Sequence, residues 1–116
     1  MPSIVELLLD TAKADTDLLL QNDAKGDVLA TPRTVDFLLR APTADRARLV
    51  ADFINDNRYG DARTVSDQDG HSVQVEIEMP ITQHVICSVS GLMACVSKIF
   101  DVEYDGWGSV IKPAGT

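Results

Sequence analysis

The chain of 116 residues has the length of one domain and is too short for two cores of useful size. Apolar residues make up 45% and charged residues 24%, which excludes wholesale disorder. Eighteen acids against ten bases give a net charge of −8, an argument against a non-specific nucleic-acid binder, because phosphate contacts need clustered Lys and Arg. The charge is uneven. Residues 1–30 hold six acids and two bases, residues 31–60 four and five, and residues 61–116 eight and three. An acidic protein with a mildly basic middle suits a basic protein partner.

Residues 3–21 read as a helix. Ser3 is placed as its N-cap with Glu6 at the capping-box spacing, and Ile4, Val5, Leu8, Leu9 and Ala12 form one apolar stripe. Asp15-Thr16-Asp17 is a point where the helix can break or be re-capped. The apolar runs Leu7–Leu9 and Leu18–Leu20 are too short to span a bilayer, and the first residues lack the basic start of a signal peptide. A cytoplasmic chain is expected. Residues 22–32, with Asn22, Gly26 and Pro32, read as a loop long enough to make the helix an appendage to the core.

Alternation after Pro32 predicts a strand, with Val35, Phe37 and Leu39 on one side and Thr34, Asp36 and Arg40 on the other. Pro42 stops it. Thr43 caps a second helix with Ala47, Val50, Phe53 and Ile54 on its core face, and Gly60 is its stop signal. A weaker strand over 62–67 leads to Asp69-Gly70, the strongest hairpin signal in the chain. Beyond it Val73, Val75, Ile77 and Met79 alternate with Ser72, Gln74, Glu76 and Glu78, the mark of a sheet covered on one face and wet on the other.

Residues 82–100 alternate briefly like a strand, but Ile81, Val85, Val89, Leu92, Val96, Ile99 and Phe100 fit a helix for longer. Thr82 is its expected cap, with Ile81 and Ile86 as a hydrophobic staple, and Gly91 costs it about 1 kcal/mol relative to Ala. A last short strand falls within 102–112, around Tyr104–Gly108. From residue 33 the order is β-α-β-β-α-β, the split βαβ pattern of the ferredoxin-like α+β sandwich, here with an extra N-terminal helix. Both later helices then cover one face of an antiparallel sheet. The other face carries Asp36, Arg40, Gln74, Glu76 and Glu78, unless the first helix folds across it.

Catalysis leaves little trace. His71 and His84 lack the neighbours that complete a triad or a metal set, and no Cys-x-x-Cys or His-x-x-x-His spacing exists. Neither a metal nor a cofactor is expected. Cys87 and Cys95 lie eight residues apart, about 12 Å along one helix, too far for a disulfide. No phosphate-binding glycine loop precedes a helix, and the arginines Arg40, Arg46, Arg48, Arg58 and Arg63 have only Tyr59 as an aromatic neighbour. Glu76 and Glu78 suit acid/base work on paper, but a solvated strand face produces the same pattern far more often.

The segment Phe100–Gly108 differs in kind, gathering Asp101, Glu103, Tyr104, Asp105 and Trp107. Its packing reading is that Asp105-Gly106 makes a turn or bulge, Trp107 fills the core and Gly108 lets two backbones approach. Its functional reading is an interface, since aromatics framed by acids are typical anchors. These five residues are the candidate protein-binding set.

Val102-Glu103-Tyr104-Asp105-Gly106-Trp107-Gly108-Ser109 resembles the C-terminal signature of the bacterial "regulator of ribonuclease activity B" family. A looser match is Gly26-Asp27 followed by Pro32-Arg33-Thr34-Val35-Asp36-Phe37, and together the two bracket residues 26–109. The resemblance implies a ferredoxin-like fold and a protein regulator without chemistry of its own, whose best-known member binds and inhibits ribonuclease E. Members of that kind continue into a long acidic tail, which Lys112-Pro113-Ala114-Gly115-Thr116 does not resemble. The expected organisation is a helix and loop over 1–30 followed by the regulator-like domain over 31–116. The rival reading is a ligand-binding or dimerising ferredoxin-like module that uses helix 3–21 as its interface.

Overall fold

The structure is a computed structural model that describes residues 3–115; Met1, Pro2 and Thr116 lie outside the described residues. Helix α1 spans Ile4–Ala24, strand β1 Arg33–Ala41, helix α2 Ala44–Asp56 and strand β2 Asp61–Asp67. Strand β3 follows over Gly70–Met79, then helix α3 over Gln83–Phe100 and strand β4 over Glu103–Gly108. The strands form one antiparallel sheet in the order β2-β3-β1-β4. This is the ferredoxin-like topology, with α1 added at its N-terminal side.

The alternation sorts the sheet as expected. Val35, Phe37, Leu39, Val73 and Val75 are fully buried, and they face Ala47, Val50 and Ile54 of α2 and Ile86, Met93 and Val96 of α3. The hairpin pairs Asp61–Asp67 with Gly70–Glu76 around the Asp69-Gly70 turn, where Gly70 has φ +113°. Ile81 and Ile86 are both buried in the core, as a hydrophobic staple requires. Thr82 holds the N-cap position, but its side chain makes no capping bond.

Three helical details differ from expectation. The Asp15-Thr16-Asp17 run does not interrupt α1, which continues to Ala24 and ends with Gly26 at φ +85°. It continues because Asp15 is turned inward among partners instead of capping a new turn. Gly60 is not the left-handed residue after α2; Arg58 takes that conformation at φ 58°. Glycine is needed at position 60 for space, since a Cβ there would stand 2.6 Å from Val75 Cγ1. Finally, α3 is long and apolar enough to cross a membrane by length and composition alone, with mean hydropathy 1.3. Its apolarity on most sides reflects packing against the sheet on one side and α1 on the other.

Helix α1 therefore packs along α3 and does not fold across the open face of the sheet. Leu19 joins it to the core. The loop after it is closed by a buried ion pair. Arg33 donates through Nη1 to both carboxylate oxygens of Asp27, at 2.7 and 2.8 Å, and neither side chain is exposed. The same guanidinium holds the carbonyls of Val28, Thr31 and Val110, and Asp27 accepts from the Lys112 amide. Loop and C-terminal segment are thus pinned to the first residue of β1.

Candidate protein-interaction face

The face of the sheet away from the helices carries Thr34, Asp36, Leu38 and Arg40 from β1, and Ser72, Gln74, Glu76 and Glu78 from β3. Register puts Asp36 directly opposite Glu76 and Thr34 opposite Glu78, whose Oε2 accepts from the threonine hydroxyl at 2.9 Å. Asp61, opposite Glu76 on the other side, extends the acidic row onto β2. Glu103 and Asp105 continue it onto β4, each beside Arg40.

Of the basic residues near this face, Lys112 lines a depression with Asp36 and Glu78, and two arginines are engaged by neighbours. Arg40 donates to Asp105 at 3.0 Å in an exposed ion pair, and Arg63 donates to Gln74. Arg46 lies elsewhere, donating to the Phe100 carbonyl at 2.6 Å, where a cation also suits the C-terminal end of α3. The open face is left with a surplus of carboxylates. A depression of about 310 Å³ crosses it, lined in part by Asp36, Leu38, Gln74, Asp105 and Trp107. Asp101 and Glu103 line another at its end, with Arg40 and Pro42.

The five candidate residues divide by side. Glu103 and Asp105 are exposed on the acidic face, and exposed Asp101 ends α3 in the left-handed conformation at φ 55°. Tyr104 and Trp107 are half-buried and pair with Leu39 and Phe37, on the core side. The break in alternation that lets both aromatics turn inward is a bulge at Asp105-Gly106, with Gly106 at φ +93°. Gly108 does not serve a close approach, since open space surrounds the position of a Cβ there.

The inward aromatics meet an acid that sequence reasoning did not select. The Trp107 indole Nε1–H donates to Asp15 Oδ1 at 2.9 Å, and the Ser90 hydroxyl donates to the same oxygen at 3.1 Å. Ser90 Oγ also lies 2.7 Å from the Tyr104 hydroxyl. Asp15 is only 3% exposed, and burial outweighs these two hydrogen bonds, holding its carboxyl above the usual carboxylate range. Burial likewise pushes up the Tyr104 phenol, and burial with the nearby Asp15 charge pushes up the Cys87 thiol. The available signal was Asp15 on the same helical side as Leu8 and Leu19, a position for core residues.

His84 is exposed, and His71 Nδ1 lies 2.8 Å from Ser66 Oγ beside the hairpin turn. Among the described residues, no group of three His, Cys, Asp or Glu side chains is arranged to hold a metal.

Fold and surface define a small ferredoxin-like domain with helices on one side of its sheet and an acidic, uncovered strand face on the other. Residues 12–109 match the family model described as "Regulator of ribonuclease activity B", which covers most of the chain. The protein belongs to that family. No curated protein matches it.

Proposed function

We propose that this protein is a cytoplasmic, non-enzymatic regulator that binds a ribonuclease, with ribonuclease E as the candidate partner, through its open acidic sheet face. The observation that carries this reading is the row Asp36, Glu76, Glu78, Glu103 and Asp105 on a face that no helix covers. Antiparallel sheets do present one face to water, and that alone implies no partner. Here, however, acids stand opposite acids, an arrangement that lowers stability and that a basic surface would relieve. Membership of a ribonuclease-regulator family supports a ribonuclease as the partner. Neither direct nucleic-acid binding nor membrane association follows from such a surface.

Titration of the purified protein against the ribonuclease at low and high salt tests the proposal. Binding is expected at low salt, weaker at high salt, and weaker again when exposed Asp101 and Glu103 are both replaced by Lys. Absence of binding at low salt removes the regulator reading.

A second reading is favoured by a separate observation. Val5, Leu9 and Leu20 on α1 are 62%, 66% and 63% exposed, an apolar strip suited to self-association. Sedimentation of the wild type beside a Leu9→Glu, Leu20→Glu variant decides it, because only a dimer through α1 changes mass.

A further inference from the structure

A cleft of about 250 Å³ runs between α1 and β4, the edge strand of the sheet. Asp10, Asp15 and Asp105 all line it, together with Tyr104 and Gly106, and no Lys or Arg does, Asp105 being paired with Arg40 at 3.0 Å beside it. Asp10 and Asp105 are exposed, whereas Asp15 is 3% exposed. The Asp15 Oδ1 atom accepts from Ser90 and Trp107, but Oδ2 is buried and has no hydrogen-bond partner. A buried acceptor without a donor is costly, and buried carboxylates are normally paired. The group this site lacks is a cationic donor.

We propose that the cleft between α1 and β4 receives the guanidinium of one arginine from the protein partner, with Asp15 as its counter-charge. The inference rests on the protein-binding reading above and names a contact within it. An arginine suits the site better than a lysine, because its planar head donates to a carboxylate and stacks on an aromatic ring such as Tyr104. The position of a Gly106 Cβ is open space, so no side chain from the bulge narrows the approach. Asp15 Oδ2 is buried beside the cleft, so the proposed contact includes an outward shift of α1 that lets the guanidinium reach it. That burial also strengthens the pairing once it forms.

The test uses no ribonuclease, so its outcome is independent of the partner's identity. Trp107 is the single tryptophan of the sequence, and its indole N–H, bonded to Asp15, gives one unambiguous NMR resonance. Arginine capped as N-acetyl and N-methylamide is titrated into the full-length protein, beside capped citrulline, its neutral isostere. Capped arginine is expected to move the Trp107 resonance saturably, with Kd on the order of 1 mM, the scale of one small contact group. Capped citrulline should leave it in place. Asp15→Asn should reduce the affinity about tenfold, which is 1.4 kcal/mol. Exposed Asp105→Asn should reduce it less, and that variant keeps the comparison valid if Asp15→Asn does not fold. No saturable shift, an equal shift from citrulline, or unchanged affinity in the variants that fold would each overturn the proposal.

Discussion

Trp107 holds Asp15. The indole of the C-terminal signature donates across 92 residues to a carboxylate near the middle of the N-terminal helix. The pair ties α1 to the sheet edge, and its acceptor is a group whose ionisation burial opposes. The folded-state pKa of Asp15 thus lies above its unfolded value. Stability from the neutral acid is complete below the unfolded value and is lost as pH rises through the folded one. Of the titratable groups around it, Cys87 and Tyr104 are pushed upward and stay neutral over that range, while Asp10 and Asp105 line the adjoining cleft.

Asp15→Asn keeps an oxygen acceptor for Trp107 and Ser90 and removes the titration. The variant is expected to gain stability relative to wild type as pH rises from about 3.5 to about 7. Urea unfolding of both proteins across that range measures the difference, which cancels the other carboxylates. Asp15→Ala instead leaves the Trp107 N–H without its acceptor and should cost about 1–3 kcal/mol. A difference between wild type and the Asn variant that is flat with pH would contradict the assignment.

The Asp27–Arg33 pair predicts a different pattern. Both side chains are fully buried, so removing one partner strands the other charge, at about 3–5 kcal/mol. Arg33→Met or Asp27→Asn alone should be destabilising on that scale. The double variant should recover part of the loss, giving a non-additive cycle. Arg33→Lys should not rescue, since one ammonium cannot reach Asp27 and the carbonyls of Val28, Thr31 and Val110 together. Hydrogen exchange should accelerate at the Val28 and Lys112 amides, which close the same junction.

The sheet was legible because its signal is local. The Asp69-Gly70 turn sets pairing and register for the neighbouring strands β2 and β3, and period-two burial in 33–41 and 70–79 marks which face of each strand meets the core, although β1 and β3 pair across the intervening α2 and β2. What was hidden depends on side chains brought together from distant positions. Asp15 looked like a helix breaker because aspartate usually is one, and its burial becomes intelligible only once Ser90 and Trp107 arrive. The packing reading of Phe100–Gly108, with a bulge at Asp105-Gly106 and Trp107 turned to the core, matches the structure, whereas the inward turn of Tyr104 follows only from the register that the bulge sets. The acids of that segment kept the outward orientation that alternation gave them.

Two glycines separate propensity from packing. Gly91 lies within α3, and a Cβ there would touch only Leu8 Cδ2, at an ordinary 3.6 Å. Gly91→Ala should therefore stabilise by about 1 kcal/mol, the helix-propensity difference. Gly60→Ala meets Val75 Cγ1 at 2.6 Å and Ile77 Cγ1 at 2.9 Å. It should destabilise by about 1–3 kcal/mol through overpacking. Thermal melts of the two variants should move in opposite directions, and a stabilising Gly60→Ala would show that the contact relaxes freely.

The open face makes the sharpest demand, because stability and binding should respond to it with opposite signs. Asp36 and Glu76 face each other directly across β1 and β3, with Asp61 beyond. Replacing Asp36 by Asn and Glu76 by Gln removes like-charge repulsion and should stabilise the free protein by about 0.2–1 kcal/mol. Glu78 is a poorer choice, because it accepts from Thr34 and its loss would confuse the two effects. If the face docks on a basic ribonuclease surface, the same two substitutions should weaken binding and flatten its dependence on salt. Screening lengths fall from about 10 Å at 0.1 M to about 3 Å at 1 M, so wild-type affinity should drop steeply over that range. Titrations of both proteins at the two salt concentrations, paired with their urea midpoints, decide the matter. A variant that is more stable and binds as tightly as wild type would leave the acidic row a solvated strand face and move the docking surface elsewhere on the domain.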